Sequence, residues 1–193
     1  MIKFLIMTTN DFSMQELQIG GGLDLIRGQS VNLDEAWALI STCSEWLRDI
    51  GMDHWDKYYT RKMVEEKIKG QELYLAYREG ELVGTVTLDT NPVSYYEPND
   101  LETFEDPKAE AMYVTALAVY PDMQKQGIAG NLMKFAEESA KERNIPYIRF
   151  DCRESYGELV EFYKKRGYGV VGRFTDPSDN DEPYLLMEKK INE

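Results

Sequence analysis

Apolar and polar positions along the chain fall into two periods, and the changes between them mark the elements. Leu23 to Arg27 alternates and predicts a first strand. Asn32, with Glu35 three residues on, reads as the start of a helix. That helix has the apolar face Leu33, Ala36, Trp37, Ile40, Cys43, Leu47 and Ile50, and Gly51 stops it. Met52 to Asp56 is a loop, and a shorter helix then runs to about Gly70. Leu73 to Tyr77 and Leu82 to Leu88 form a hairpin about Glu79-Gly80-Glu81. Residues 1 to 22 read as an extension that ends in the flexible run Gly20-Gly21-Gly22.

The second half is cleaner. Met112 to Tyr120 is almost continuously apolar, as expected of a strand buried on both faces. A turn from Pro121 to Gly127 precedes a helix with Ile128, Leu132, Met133, Ala136 and Ala140 on one side, ended by Asn144 and Pro146. Tyr147 to Asp151 is the next strand. Ser155 and Glu158 form a capping box for another helix, which closes at Lys164-Lys165-Arg166-Gly167. Tyr168 to Phe174 and Tyr184 to Glu188 are the last strands, around an acidic loop. The connection from Asp89 to Glu110 is long for a compact domain, and both a lid and a mobile insertion fit it. The element order shows no repeat and no linker, so residues 23–193 read as one α/β domain behind the 1–22 extension.

Composition narrows the function classes. With 193 residues and 42% apolar content, the chain can bury an ordinary core. A formal net charge of −13 argues against nucleic acid as a partner, since such binders present a basic face. No stretch is long and apolar enough for a membrane span or a signal core, so a cytoplasmic protein with no membrane partner is expected. Cys43 and Cys152 read as buried reduced thiols, and with His54 the sole histidine no metal site is expected.

The segment richest in chemistry runs from Leu117 to Gly130. A buried strand enters a turn, and a helix begins where Gly127, Ala129 and Gly130 keep bulky side chains away. A helix start offers unpaired N–H donors and the positive end of its dipole, which suits a pyrophosphate. A turn that binds nothing accounts for the segment equally well. The Walker loop lacks its Gly-Lys-Ser/Thr, and the dinucleotide fingerprint lacks its first glycine.

Gln124-Lys-Gln-Gly127-Ile-Ala129, after an apolar strand and Pro121, instead resembles the Q/R-x-x-G-x-G/A motif of the GNAT N-acetyltransferase superfamily. Phe162-Tyr163-Lys-Lys-Arg-Gly167-Tyr168 is similar to that family's F-Y-x-x-x-G-F/Y segment. The resemblance spans roughly residues 23 to 190. It implies a mixed, mostly antiparallel central sheet of six to seven strands, flanked by about four helices and splayed at the cofactor-binding strand. It also implies acetyl-CoA as co-substrate. The backbone of Leu117, Ala118 and Val119 would then meet the pantetheine arm. Gln124, Lys125, Gln126, Gly127, Ile128, Ala129 and Gly130 would wrap the pyrophosphate.

By the same resemblance, Tyr163 takes the place of the general acid that protonates the departing thiolate. A phenol with an ordinary pKa of roughly 10 holds its proton at neutral pH. A place in the core beside Phe162 is the alternative for Tyr163. Tyr156 stands where the family commonly has a cofactor-contacting asparagine, which puts that contact in doubt. Tyr113 and Thr115 occupy the strand positions where a basic carboxylate is often found, so Glu110 and Glu154 are the candidates for the base, through a water chain.

Asp53, His54, Trp55 and Asp56 are the expected acceptor site, an aromatic wall with carboxylates for a cationic amine. An exposed turn anchored by Trp55 fits the same residues. The acidic run from Asp176 to Glu182 points the same way, or is simply solvated. The expected reaction is acetyl transfer to the primary amine of a small cationic molecule. The alternatives are an acyl-CoA-binding module with little turnover, and a protein or peptide N-acetyltransferase whose Asp89 to Glu110 loop docks the peptide. A homodimer is left open.

Overall fold

The computed structural model describes residues 17–191. It contains two compact units, one made of residues up to Thr87 with Ala116–Phe135, the other of Leu88–Thr115 with residues from Ala136 onward. The sequence shows no break because the boundaries fall inside two strands and a helix rather than in a linker.

The first unit holds strands β1 (Leu17–Ile19), β2 (Leu23–Arg27), β3 (Leu73–Arg78) and most of β4 (Glu81–Asp89), joined as antiparallel neighbours. Helices α1 (Leu33–Asp49), α2 (Trp55–Tyr58) and α3 (Arg61–Lys69) belong to it, with the end of β5 (Ala111–Val119) and the start of α5 (Ile128–Glu142). Its core gathers Ala36, Leu39, Ile40 and Cys43 of α1 against Val64 and Ile68 of α3 and Leu73 and Leu75 of β3. The i, i+4, i+7 spacing read from the sequence produces this face.

Three local readings differ from the structure. Leu17–Ile19 of the expected extension pairs with β2, so Gly20-Gly21-Gly22 is a hairpin turn, with φ 79° at Gly21 and 68° at Gly22. Residues 1–16 lie outside the described part. The Asn32 side chain does not cap α1. A 3-10 turn, Ser30–Asn32, comes first, and Asn32 Nδ2 donates to Glu35 Oε1 at 2.8 Å. The loop read at Met52 to Asp56 already contains the start of α2.

The second unit is built on β5, β6 (Tyr147–Arg153), β8 (Glu182–Lys190) and β7 (Gly169–Asp176), in that spatial order. The pair β5–β6 is parallel, and its register covers Ala111↔Tyr147 to Tyr113↔Arg149. β6 continues to Arg153, paired on its other edge with β8. Helix α6 (Gly157–Lys164) starts from Tyr156 without a side-chain cap, so the expected Ser155–Glu158 box does not form. Among the described residues the strands number eight, against six to seven expected, because β1 is too short to show a period. The α-helices among the described residues number six, the two beyond the expected four being the single turns α2 and α4 (Pro98–Leu101).

The long connection after β4 is a packed lobe. Arg149, 1% exposed, donates through Nε to Glu188 Oε2 at 2.7 Å and through Nη2 to the Asp106 carbonyl at 2.7 Å. Glu188 Oε1 accepts the Glu105 N–H at 3.0 Å, and the Arg149 guanidinium lies 4.4 Å from the Phe104 ring centre. Tyr96 and Phe104 are buried with Tyr113, Tyr147 and Leu186.

Candidate active site

In the first unit, β5 is bent where it approaches the glycine loop. Ala116 has φ 46°, unusual for a residue with a side chain. Both of its backbone groups are bonded to side chains. Its N–H donates to Tyr59 Oη at 2.9 Å, and its carbonyl accepts from Thr85 Oγ1 at 2.9 Å. Leu117, next along, is partly exposed, whereas Ala118 and Val119 are buried. The Val119 carbonyl accepts from Cys43 Sγ at 3.3 Å, and burial pushes that thiol up to about 12.

A 3-10 turn, Pro121–Met123, follows β5, and the chain then turns back through Lys125 at φ 60° and Gly127 at φ 84°. Helix α5 begins with the bond from the Asn131 N–H to the Gly127 carbonyl at 3.0 Å, so the N–H groups of the first turn precede any intrahelical acceptor. A side-chain carbon placed on Gly127 would meet only Asn131 Nδ2, at 4.0 Å, which leaves the cradle open. Gly84 sets the helix close to the sheet. A carbon on it would lie 2.9 Å from the Ala118 carbonyl oxygen and 3.2 Å from Ile128 and Leu132.

Two neighbours of this loop were not read from the sequence. Arg78, at the end of β3, donates to Gln126 Oε1 at 2.9 Å. The Gly20-Gly21 turn comes so near the Asn131 side chain that a carbon on Gly20 would lie 2.6 Å from its Oδ1. Both are brought there by strand pairing between distant segments, which leaves no local signal. Donor amides, the helix dipole, Lys125 and Arg78 fit a pyrophosphate.

The expected acceptor residues also belong to this unit. Trp55 packs on Tyr59 with ring centres 4.5 Å apart, and so supports the residue that holds the Ala116 N–H. Asp56 is bound by Ser44 Oγ at 2.5 Å, Arg48 Nε at 2.8 Å and Arg48 Nη2 at 2.8 Å. These bonds, Ser44's first, lower its pKa below the usual carboxylate value. Its charge is thus balanced from within the chain. Asp53 is exposed and His54 partly so. A cavity of about 390 Å³ opens beside them, lined by Trp37, Ser44, Arg48, Asp56, Tyr59 and Arg61 among others.

In the second unit one face of β6 carries Arg149, Asp151 and Arg153, because side chains alternate along a strand. Asp151 Oδ1 accepts the hydroxyls of Tyr96 at 2.7 Å and Tyr95 at 2.9 Å. Around the two tyrosines, Phe174 lies 5.7 Å from Tyr96 and 5.2 Å from Tyr184, centre to centre. Asp151 keeps some exposed surface, yet its surroundings raise its pKa by desolvation, against the lowering effect of the two phenols. A carboxylate so placed is a stronger base than one in water.

Tyr163 is 6% exposed, with its ring 4.3 Å from Phe150 and 5.1 Å from Phe162. Phe150 and Asp151 are adjacent, so they project to opposite faces of β6, and Tyr163 packs on the face away from Asp151. The β5–β6 register covers β6 only as far as Arg149. Tyr156 is partly exposed at the start of α6, its pKa raised by burial and then by Glu158.

Neither base candidate from the sequence shares the surroundings of Asp151. Glu110 is exposed at the entry to β5, and Glu154 is held by Arg173 Nη2 at 2.5 Å. Asp151 is the last residue of the strand that the sequence predicts, an acid between the apolar neighbours Phe150 and Cys152.

Comparison with known proteins gives the family and the fold. The model of the acetyltransferase (GNAT) family matches residues 38–168. An uncharacterized N-acetyltransferase of Bacillus subtilis, YesJ, is 27% identical over 157 residues, covering 79% of this chain and 82% of the relative. A GNAT-family acetyltransferase structure from Streptococcus agalactiae superposes with a TM-score of 0.73 at 16% identity, covering 95% of this chain and 99% of the other. Arabidopsis thaliana Naa50, solved in complex with the bisubstrate analogue CoA-Ac-MVNAL, superposes with a TM-score of 0.63 at 17% identity, covering 87% of this chain and 98% of the other.

Proposed function

Since this chain belongs to the GNAT acetyltransferase family and is an acetyl-CoA-dependent acyltransferase, we propose that it acetylates a primary amine with Asp151 as base and Tyr163 as acid. The observation that carries this reading is the Asp151 carboxylate, bound by two phenols and raised in pKa by desolvation.

Acetyl-CoA supplies an activated acyl group. The acceptor arrives as an ammonium ion, which the aromatic walls and the acid favour. Asp151 removes a proton and frees the nitrogen lone pair. As the new N–C bond forms and the C–S bond breaks, the Tyr163 phenol delivers its proton to the leaving sulfur. The second proton that the nitrogen sheds on becoming an amide returns to the Tyr163 oxygen. The family motif supports the role of Tyr163. The loop from Gln124 to Gly130 and the backbone of Leu117 and Val119 serve the cofactor. A small cationic amine and the N-terminus of a peptide both present the required ammonium.

The test is thiol release from acetyl-CoA with a panel of amines, for wild type, Asp151→Asn and Tyr163→Phe. Each variant should lose about 10²-fold or more in kcat, while coenzyme A still binds. A Tyr163→Phe enzyme of wild-type rate would return Tyr163 to a packing role.

A further inference from the structure

Tyr95 and Tyr96 reach Asp151 from the lobe after β4, and both hydroxyls donate to the same oxygen, Oδ1, at 2.9 and 2.7 Å. Adjacent residues of an extended chain project to opposite sides. Here the Tyr96 N–H donates to the Val93 carbonyl at 3.2 Å, and the turn so closed lets two neighbouring side chains converge on one atom. Aromatic neighbours seat both rings. Tyr96 is buried, with its centre 6.4 Å from Tyr113 and 6.5 Å from Phe104, and Tyr95 stacks on Phe174 at 6.2 Å. The lobe that carries them is anchored in turn by Arg149 and Glu188.

A carboxylate oxygen offers two lone pairs, and the two phenols occupy those of Oδ1. Oδ2 is bonded to neither phenol, so a proton taken up by the carboxylate goes to Oδ2. The cations nearby are committed elsewhere. Arg149 and Arg153 share the face of Asp151, but Arg149 pairs with Glu188, and Arg153 Nη2 lies 3.4 Å from Asp179 Oδ2. Tyr184 of β8 donates to Asp179, Tyr113 of β5 packs on Tyr96, and Cys152 projects to the opposite face of β6. The charge on Asp151 is therefore stabilised by two phenols rather than by a cation.

We propose that Tyr95 and Tyr96 are positioning residues of the acetyl transfer, which hold Asp151 by Oδ1 and so turn Oδ2 toward the ammonium of the acceptor. An N–H bond of the ammonium breaks as an O–H bond forms on Oδ2, and the electron pair stays on nitrogen for attack on the thioester. Both donors favour the charged carboxylate, so losing either one raises the pH at which Asp151 takes up a proton. The connection between β4 and β5 thereby serves the reaction through Asp151. This rests on Asp151 being the base.

The experiment follows Asp151 both directly and through the rate. Protein made with aspartate isotope-labelled at the side-chain carboxyl carbon gives the titration of Asp151 by NMR, its resonance being the one absent from Asp151→Asn. Thiol release from acetyl-CoA, with the fastest amine of the panel, gives the acid limb of kcat/KM. In Tyr96→Phe, which keeps the ring, the titration and the limb should both move up by about one pH unit. Above the limb, kcat should fall roughly tenfold at an unchanged acetyl-CoA KM, as a less well oriented base requires. Tyr95→Phe should act in the same direction, and it carries the test if Tyr96→Phe does not fold. An Asp151 titration unmoved in both variants overturns the proposal. So does a limb that vanishes in Asp151→Asn yet stays in place in both tyrosine variants, and Asp151 then remains the base. A limb that persists in Asp151→Asn removes the base, and the role of the two tyrosines with it.

Discussion

Tyr59 Oη lies 2.9 Å from the backbone nitrogen of Ala116 and accepts its N–H, at a point where β5 passes through φ 46°. A side chain from the segment after α1 thus supplies an acceptor to this N–H, one residue before Leu117 to Val119 lead into the glycine loop.

Tyr59→Phe removes that acceptor and strands a backbone donor. Stability should fall by about 1–3 kcal/mol, read from denaturant unfolding. The calorimetric affinity for coenzyme A should fall with it, because the bend loses its support. An unchanged affinity would separate the bend from cofactor binding.

Asp151→Asn should separate activity from stability. Because burial raises the folded-state pKa of Asp151 above its ordinary value, the folded state favours the protonated form. The stability this confers is present below the unfolded pKa of about 3.9 and is lost as pH rises through the folded value. Asparagine keeps an oxygen for the two phenols and carries no charge. The variant should therefore gain stability relative to wild type as pH rises from about 4 to 7, while kcat collapses. A gap that narrows over that range would show the carboxylate to be stabilised by its site.

Gly127→Glu places a carboxylate at the mouth of the cradle, on a residue with φ 84°. Coenzyme A binding should disappear from calorimetry while the circular dichroism spectrum persists. Retained binding would move the pyrophosphate elsewhere.

Arg149→Met leaves Glu188 buried without its cation, for the two side chains are 1% and 3% exposed. The expected loss is about 3–5 kcal/mol, and amide exchange should rise across residues 89–110 above all. Replacing Glu188 by Gln as well should return part of the stability, since the Glu105 N–H keeps an acceptor.

Much of this molecule was set by the sequence alone. The strand into Val119, the helix from Ile128 and the positive-φ glycine between them are local, since they follow from apolar period and backbone freedom. So do the faces of α1 and α5, which sequence spacing defines before any partner is known. What the tertiary structure decided is which distant residues meet. Asp151 looks like the last residue of a strand until Tyr95 and Tyr96, more than fifty positions earlier, close over it. Asp56 looks like a lone loop acid until Ser44 and Arg48 bind its oxygens. Desolvation and hydrogen bonding set the chemistry of a carboxylate, and both depend on atoms that only folding brings near.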